Sequence, residues 1–229
     1  MGITVLDREV YSMSEAARIL GVRSARLRGW IDGYSRGGVD YEPVIRPERT
    51  GEDAVTWGEF VEAGYLREYR IRHRVSLQHL RPVVQILRER LGAPYPLAHA
   101  KLYVANRELV REIQDEIGID RELAMVVVRN GQLILAPGAA AFVEKVEFAP
   151  EDKEVLRIYP DDKSSPVLID PLRNFGAPVV HGIRTENLYD LFAGGDSIAD
   201  IADGFDISVA DVEAAIRYES RINGQETAA

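Results

Sequence analysis

The stretch VYSMSEAARILGVRSARLRGWID, residues 10–32, has the pattern of two short helices joined by a tight turn. Ser12 and Glu15 have the spacing of a capping box, whose two side chains bond free backbone N–H groups at a helix start. Gly21 stands where the first helix would end in a left-handed residue. Apolar residues then return at helical spacing to cover the first helix: Leu27, Trp30 and Ile31. The stretch predicts a helix-turn-helix, with an ordinary helical hairpin as the alternative.

The second of these helices carries polar residues on the side that faces away from this small core. In a helix-turn-helix, the exposed second helix is the one that enters a major groove of DNA. We therefore expect DNA contacts from residues in this helix or just before it: Arg23, Ser24, Arg26 and Arg28.

Residues 33–55 contain glycines, two prolines and two short apolar pairs, at 44–45 and 54–55. They predict a two-stranded wing around a loop, with Arg46 and Arg49 near its tip. Arginines of a wing lie against phosphates, where they fix register and contribute salt-dependent affinity. The alternative is a solvated loop without a binding role.

A capping pair of Thr56 and Glu59 predicts a further helix that runs to about His73. Its outer face carries the densest positive patch in the chain: Arg67, Arg70, Arg72 and Arg74. Because the patch follows the wing directly, Arg70 and Arg72 are further candidates for DNA contact, against the alternative of a solvated charged face.

From Tyr11 to about Leu91 the order of these elements resembles the DNA-binding domain of the MerR family. The matching segments are YSMSEAARILGV at 11–22, the Leu27-Arg28 pair, TWGEF at 56–60 and VSLQHLRPVVQIL at 75–87. The family usually opens its recognition helix with a Ser-Pro pair, and Arg23 and Ser24 stand there in this chain. The departure predicts a weaker helix cap.

A narrow apolar seam follows, at spacings of three and four residues: Leu77, Leu80, Val84, Leu87 and Leu91. It predicts either pairing with a second copy or packing on its own domain, and Pro82 should kink or restart its helix. Because operators read by one helix per subunit are usually bound by two-fold dimers, we expect a homodimer.

The segment LGAPYPLAH at 91–99 breaks the helical pattern and marks a boundary. KLYVA at 101–105 then predicts a strand, 108–117 fits a strand or a helix, and Asn130-Gly131 predicts a hairpin. VEFAP, VLRIYP and PVLID predict short strands up to residue 170, so a small sheet is expected over about 101–180. Three helices are predicted after it, at 187–193, 197–203 and 208–220. Their predicted common core consists of Ile198, Ile201, Phe205, Ile207, Val212, Ala215 and Ile216.

Residues 176–220 are similar to a small helical family first catalogued as a domain of unknown function. The similarity rests on Gly182, Arg184, AGGDSIADIA at 193–202 and ISVADVEAAIRYE at 207–219. That family resembles antitoxins and often lies beside PIN-domain ribonuclease toxins of the VapBC type. The resemblance implies a toxin of this type as a partner.

PIN-type toxins hold a catalytic metal with clustered carboxylates, so an inserted guanidinium would inhibit them by displacing the cation. The candidates for such toxin binding are Arg184, Arg217 and Arg221, the last two preferred because their helix leads into a polar tail at 223–229. Alternatively, an acidic face formed by Asp196, Asp200 and Asp203 would cover the basic rim of the toxin. It is equally open that these arginines only pair with carboxylates of their own helix.

Composition excludes several other classes of protein. Cysteine is absent, which rules out disulfides and thiolate sites and fits a cytoplasmic location. No segment approaches the ~20 apolar residues of a membrane helix. The four histidines lack the spacing of a metal site, and Asp196, Asp200, Asp203 and Asp206 are better read as a solvated acidic face than as a cation site. We therefore expect no enzyme activity, no metal and no cofactor.

The charge is divided unevenly along the chain. The net charge is −9, yet residues 1–100 contain 15 Arg, no Lys and 13 Asp or Glu, so the acidic excess lies in the second half. Any surface that binds phosphates is therefore expected in the first half.

These observations predict an α+β protein with three parts. A MerR-like winged helix-turn-helix is expected at 1–92, a central β-rich region at 93–175, and an antitoxin-like three-helix domain with a polar tail at 176–229. The expected function is that of an antitoxin that binds operator DNA, represses its own operon and neutralises a PIN-domain ribonuclease. The alternative is a MerR-like regulator that senses a small molecule and has no toxin partner.

Overall fold

A computed structural model describes residues 4–72, 77–99, 107–118, 126–129, 132–135, 137–150 and 154–227. The helices in this part of the chain are α1 Met13–Leu20, α2 Ser24–Ile31, α3 Trp57–Arg67, α4 Leu77–Leu91, α5 Arg107–Ile117, α6 Pro137–Lys145, α7 Thr185–Ala193, α8 Ile198–Phe205 and α9 Val209–Thr227. The strands are β1 Glu9–Ser12, β2 Tyr34–Arg36, β3 Val39–Tyr41, β4 Ala54–Thr56, β5 Val126–Arg129, β6 Gln132–Leu135, β7 Val146–Phe148, β8 Val155–Ile158, β9 Val179–Val180 and β10 Ile183–Arg184. The predicted α+β class is confirmed.

The strands pair two by two, always antiparallel. Within the described residues the pairs are β1 with β4, β2 with β3, β5 with β6, β7 with β8, and β9 with β10. The hairpin predicted around residues 130–131 is confirmed by the pairing of β5 with β6. In the described part of 101–180, where the sequence predicts one small sheet, the strands form pairs that alternate with α5 and α6, and single bridges join Ile158 to Ile169 and Leu168 to Val179. The predicted strand at 101–105 lies outside the described residues.

The predicted pair of N-terminal helices is confirmed. Ser12 Oγ accepts a hydrogen bond from the backbone N–H of Glu15 at 3.2 Å, which caps α1. Gly21 ends the helix with a φ of 60°, in the left-handed region that glycine occupies without a steric penalty. The turn then places α2 against α1, and both helices bury their apolar faces in one core.

This first core extends from Leu6 to Ile169 and so continues past the expected boundary at residue 92. The apolar seam of α4 belongs to it, with Leu80, Val84 and Leu87 buried and Leu77 and Leu91 packed against its edge. Of the two alternatives for the seam, packing on its own domain is the one observed. Helix α4 runs through Pro82 without a break, so the predicted restart does not occur.

A second core lies in the C-terminal part and is formed mainly by α7, α8 and α9. It begins at Val167, before the expected boundary at residue 176. Ser208 caps the start of α9, since its Oγ accepts a hydrogen bond from the backbone N–H of Asp211 at 3.1 Å. Helix α9 continues to Thr227, so the prediction that it ends near residue 220 is wrong. Phe205, predicted to be in the core, is exposed on its surface.

The two cores meet along α1 and α9. Arg18 of α1 and Glu219 of α9 form an ion pair with a distance of 3.2 Å between Nη1 and Oε2. Glu219 Oε1 also accepts a hydrogen bond from Thr185 Oγ1 at 2.5 Å. Nearby, the Tyr11 hydroxyl donates to the carbonyl of Gly176 at 2.5 Å. The C-terminal helices are therefore tied directly to the first helix of the helix-turn-helix.

Candidate DNA-reading face and partner surface

The N-terminal end of α2 is exposed, as the sequence predicts. Arg23 is the N-cap residue, and Ser24 and Arg26 follow it on the surface. The other face of the helix is anchored by buried apolar residues: Leu27, Trp30 and Ile31. Among the described residues no side chain caps this end, which is the consequence expected from Arg23 and Ser24 at the start of the helix.

The hairpin β2–β3 lies directly beside α2. A Cβ atom on Gly29 would lie 3.3 Å from Tyr34 Cδ1, so this glycine lets the hairpin approach the helix closely. Tyr34 stacks on its cross-strand partner Tyr41, with ring centroids 4.6 Å apart. The loop is Gly37-Gly38, both with positive φ, and Arg36 is exposed next to it.

This hairpin is not the wing that the sequence analysis predicted. Val44 and Ile45 are buried and form no strand, while Ala54–Thr56 pairs with β1. The sequence does contain the correct signal, because Gly37-Gly38 between two short runs is a two-residue loop that tolerates positive φ. Arg36 is the exposed arginine that the sequence analysis missed.

The placement of Arg46 at a wing tip is wrong. Its side chain is 5% exposed, and it lies between two carboxylates, with Nε 2.7 Å from Glu59 Oε1 and Nη1 3.2 Å from Asp32 Oδ1. Its guanidinium also donates to the carbonyl of Ala54 at 2.7 Å. Although burial disfavours its charge, hydrogen bonds and attraction from Glu59 and Asp32 raise the pKa of Arg46. Arg46 therefore stabilises the segment between the hairpin and α3 by bonding to groups on both sides of it.

Arg49 also lies away from a wing tip, at the base of the hairpin. Its Nη2 donates to the carbonyls of Tyr34 at 2.7 Å and Tyr41 at 3.0 Å, one on each strand. Arg28 is half-exposed, with its Nη2 2.6 Å from Oδ1 of Asp53. Both arginines hold local structure together, which leaves Arg23, Arg26 and Arg36 as the more accessible cations of this face.

Arg70 adds positive charge to the same region. Burial lowers the pKa of Arg70, and the nearby charge of Arg26 lowers it further. The charge of Tyr34 acts in the opposite direction and raises the pKa of Arg70. The side chain of Arg72 lies outside the described part of the chain, as do residues 73–76.

The three predicted toxin-binding arginines have different surroundings. Arg184 is exposed at the start of α7. Arg217 is 68% exposed and pairs with Glu213 one turn earlier on α9, with 3.3 Å between Nη1 and Oε2. Arg221 forms an ion pair with Asp161 and lies over the ring of Tyr218, with its Cζ 5.3 Å from the ring centroid. Arg221 is the most constrained of the three, whereas Arg184 and Arg217 are both exposed.

The C-terminal helices expose apolar side chains next to carboxylates. Large apolar residues are exposed in the described part of α7, α8 and α9, namely Leu191, Phe192, Phe205 and Val209. The exposed carboxylates beside them in sequence are Asp190, Asp196, Asp200, Asp203 and Asp206. Exposed aromatic residues with a charged rim are typical of protein interaction sites.

The described residues offer neither a cluster of metal ligands nor a helix that could cross a membrane. No group of three or more histidine or carboxylate side chains in that part of the chain is arranged to hold a metal ion. None of the helices described is long and apolar enough to cross a membrane.

Comparison with known proteins relates this architecture to mycobacterial proteins. The uncharacterized protein Rv2308 of Mycobacterium tuberculosis is 33% identical over 231 residues, which cover 96% of this chain and 94% of that protein. The chain belongs to the family of Rv2308. Another relative from the same organism, named "Putative antitoxin VapB45", is 26% identical over 217 residues, covering 88% of this chain and 90% of that protein.

The fold and the C-terminal domain of this Rv2308 family member also have matches. The crystal structure of Rv2018 from Mycobacterium tuberculosis superposes with a TM-score of 0.75 and 25% identity, covering 93% of this chain and all of that one. Residues 167–218 match a family described as "Protein of unknown function (DUF433)". The match begins at Val167, where the second core begins.

Proposed function

We propose that this protein is the antitoxin of a toxin–antitoxin pair. The observation that carries the proposal is the similarity to the relative named as an antitoxin, which extends over 88% of the chain and so includes both cores. The match of residues 167–218 to DUF433 supports it. In this role the chain acts by binding, without catalysis of its own.

We propose that the N-terminal part binds the operator of its own operon. The exposed start of the second helix of the pair would serve as the recognition helix, with Arg23, Ser24 and Arg26 as the residues that would reach the DNA. The hairpin beside it carries Arg36, which would contact a phosphate. A two-fold dimer would present two such faces to a palindromic operator. Because the apolar seam of α4 is buried within its own subunit, the two subunits would contact each other through another surface.

We propose that the C-terminal helices bind the toxin, a PIN-domain ribonuclease. The exposed phenylalanines would provide an apolar anchor, and the surrounding aspartates would compete with RNA for the basic rim of the enzyme. Arg217 would donate to a carboxylate of the catalytic site once it leaves Glu213, because an exposed ion pair at i,i+4 contributes little stability and is easily exchanged. Arg221 is less suited to insertion, since it is held by Asp161 and Tyr218.

The test is co-expression with the product of the neighbouring gene. We expect the two proteins to co-purify as a complex, the neighbour to degrade RNA when it is alone, and the complex to bind DNA from upstream of the operon. Absence of a complex, with both proteins folded, would contradict the antitoxin role. Binding to the upstream DNA without any complex would instead support a regulator that has no toxin partner.

A further inference from the structure

A cavity of about 370 Å³ lies where the two cores meet. Four helices contribute to its wall, namely α1, α3, α6 and α9, together with the β7–β8 pair. Its apolar part includes Leu20, Phe142, Ile158, Ile169 and Ile222. Pockets of several hundred Å³ with mostly apolar walls and a few polar groups are typical of small-molecule sites.

Gly64 keeps part of this cavity open. It lies within α3, where glycine costs roughly 0.5–1 kcal/mol relative to alanine. A Cβ atom there would lie 3.7 Å from Leu20 Cδ2 and 3.9 Å from Phe142 Cε2, which is ordinary contact. Gly58 on the same helix is different, because its Cβ would come within 2.4 Å of Tyr95 Cδ2. Packing requires the glycine at 58, whereas at 64 an alanine methyl would fit in ordinary contact.

Tyr218 gives the wall a buried polar group. The residue is 1% exposed, and its hydroxyl has no hydrogen-bond partner among the described residues. An unsatisfied buried hydroxyl costs roughly 1–3 kcal/mol, so native proteins usually pair such groups. Because the hydroxyl oxygen of Tyr218 has almost no accessible surface, a ligand in the cavity would not reach this hydroxyl without a shift of the side chain.

Charged groups line the remaining part of the cavity. Lys145 Nζ lies 3.5 Å from Glu68 Oε1, and Arg67 Nη1 lies 3.4 Å from the same oxygen. Arg221 pairs with Asp161. Among the described lining residues there are three cations and two carboxylates, and Lys145 also donates to the carbonyl of Pro160 at 3.2 Å.

We propose that this cavity binds a small amphipathic monoanion, with an apolar body and one carboxylate. The apolar body would lie against the apolar part of the wall, which includes Leu20, Phe142 and Ile158. The carboxylate would lie near Lys145 and Arg221. Because the wall includes α1 and α9, a bound ligand would contact both cores and stabilise their packed arrangement relative to any arrangement that opens the cavity.

The test is calorimetric titration of the full-length protein with octanoate and with 1-octanol. We expect octanoate to bind at least tenfold more tightly. Lys145→Met should remove this preference for the anion, and Gly64→Leu should weaken both probes at least tenfold by filling the cavity. Gly64→Ala is the matched control, which should keep octanoate binding within about threefold of wild type.

Circular dichroism of each variant separates loss of the cavity from loss of the fold. If Gly64→Leu does not fold, the affinities of Lys145→Met for the two probes test the proposal alone. This variant should fold, because the Lys145 side chain is partly exposed. Equal affinity for the two probes, no binding of octanoate at millimolar concentration, or octanoate binding unaffected by Lys145→Met would overturn the proposal. The readout is ligand binding alone, so it does not depend on the toxin or on DNA.

Discussion

Arg18 and Glu219 stand 201 positions apart in the chain and form an ion pair between the first helix of the helix-turn-helix and the last helix of the protein. The side chain of Glu219 is 2% exposed and that of Arg18 is 24% exposed. Burial raises the pKa of Glu219, while the hydrogen bond from Thr185 and the charge of Arg18 oppose the rise. The net effect is a raised pKa, and both partners keep it lower than burial alone would.

The first prediction concerns this ion pair. Arg18→Ala should lower the free energy of unfolding by about 2 kcal/mol, because it leaves a buried carboxylate without its counter-charge. In a double-mutant cycle with Glu219→Gln, the coupling energy should be about 1–3 kcal/mol by urea unfolding. The matched control is the exposed pair Glu213–Arg217 on the same helix, whose coupling should stay below about 0.5 kcal/mol. Equal coupling energies in the two pairs would show that the Arg18–Glu219 pair contributes no more to stability than an exposed ion pair does.

The second prediction separates a structural from a DNA-binding arginine. Arg46→Ala should lower the free energy of unfolding by about 3–5 kcal/mol, because it leaves Asp32 and Glu59 buried without their partner. Arg46→Lys should not restore stability, since one ammonium group cannot make all the hydrogen bonds that the planar guanidinium donates. Arg49→Ala is the control and should cost about 1 kcal/mol or less. If the Arg46→Ala protein is as stable as wild type but binds DNA more weakly, Arg46 contacts DNA as the sequence predicts.

The helix-turn-helix could be predicted because its signals are local. The Ser12 cap, the glycine turn and the apolar spacing of α2 each depend on residues within one or two turns of helix. The role of Arg46 could not be predicted in this way, because it depends on Asp32 and Glu59, which lie 14 and 13 residues away. A sequence shows that an arginine is present, but not whether tertiary packing surrounds it with carboxylates.

The wing shows a second kind of limit. Val44-Ile45 and Ala54-Val55 have the composition of strands, yet one pair is buried in the core and the other pairs with β1 at the N-terminus. β propensity describes a fit to a half-buried surface, and both environments satisfy it. The turn signal of Gly37-Gly38 is more specific, because positive φ at two successive residues is a steric requirement. The C-terminal arginines likewise could be placed on helices, but their ion-pair partners could not.

The third prediction tests the proposed DNA-reading face. Arg26→Ala should cost about 1–3 kcal/mol in binding to the upstream DNA and reduce discrimination against altered operators. Arg36→Ala should weaken binding to all sequences alike and reduce the slope of log affinity against log salt by about 1. Electrophoretic mobility shifts at several salt concentrations measure both effects. Arg111→Ala, at an exposed arginine of α5 paired with Asp115, is the control and should change neither. If Arg26→Ala behaves like this control, α2 does not read DNA.

The fourth prediction concerns the surface proposed to bind the toxin. Phe192→Ser combined with Phe205→Ser should weaken the complex by at least 2 kcal/mol, because exposed aromatic residues are frequent anchors of interfaces. The stability of the free protein should change little, since these side chains are 41% and 38% exposed. Val39→Ser, at a residue of the hairpin that is 53% exposed, is the control and should leave the complex intact. Retention of full affinity by the double variant would place the interface elsewhere.

The last prediction is a pH dependence that arises from Glu62 on α3. Its side chain is fully buried, and Oε1 accepts a hydrogen bond from the backbone N–H of Leu97 at 2.9 Å. Burial raises the pKa of Glu62 to about 8, the Leu97 N–H and the charge of Arg88 oppose this, and Glu59 adds to it. The folded protein therefore binds a proton at Glu62 that the unfolded chain has released, throughout the range between the ordinary carboxyl pKa and about 8.

Because the folded state binds more protons than the unfolded state in that range, the contribution of Glu62 to stability is greatest at low pH and falls as the pH rises. Glu62→Gln keeps an oxygen for the Leu97 N–H and cannot ionise. The free energy of unfolding of Glu62→Gln minus that of wild type should therefore increase from pH 5 to pH 8, by an amount on the order of 2–4 kcal/mol. Urea unfolding at half-unit pH steps measures the free energy of unfolding of both proteins. Subtracting the wild-type value from that of the variant removes the contributions of all other titrating groups.

Glu89→Gln, at an exposed carboxylate of α4, is the control, and its curve of stability against pH should run parallel to that of wild type. If the Glu62→Gln and wild-type curves are also parallel, Glu62 is ionised in the folded protein across this range, and its burial is compensated by Arg88 after all.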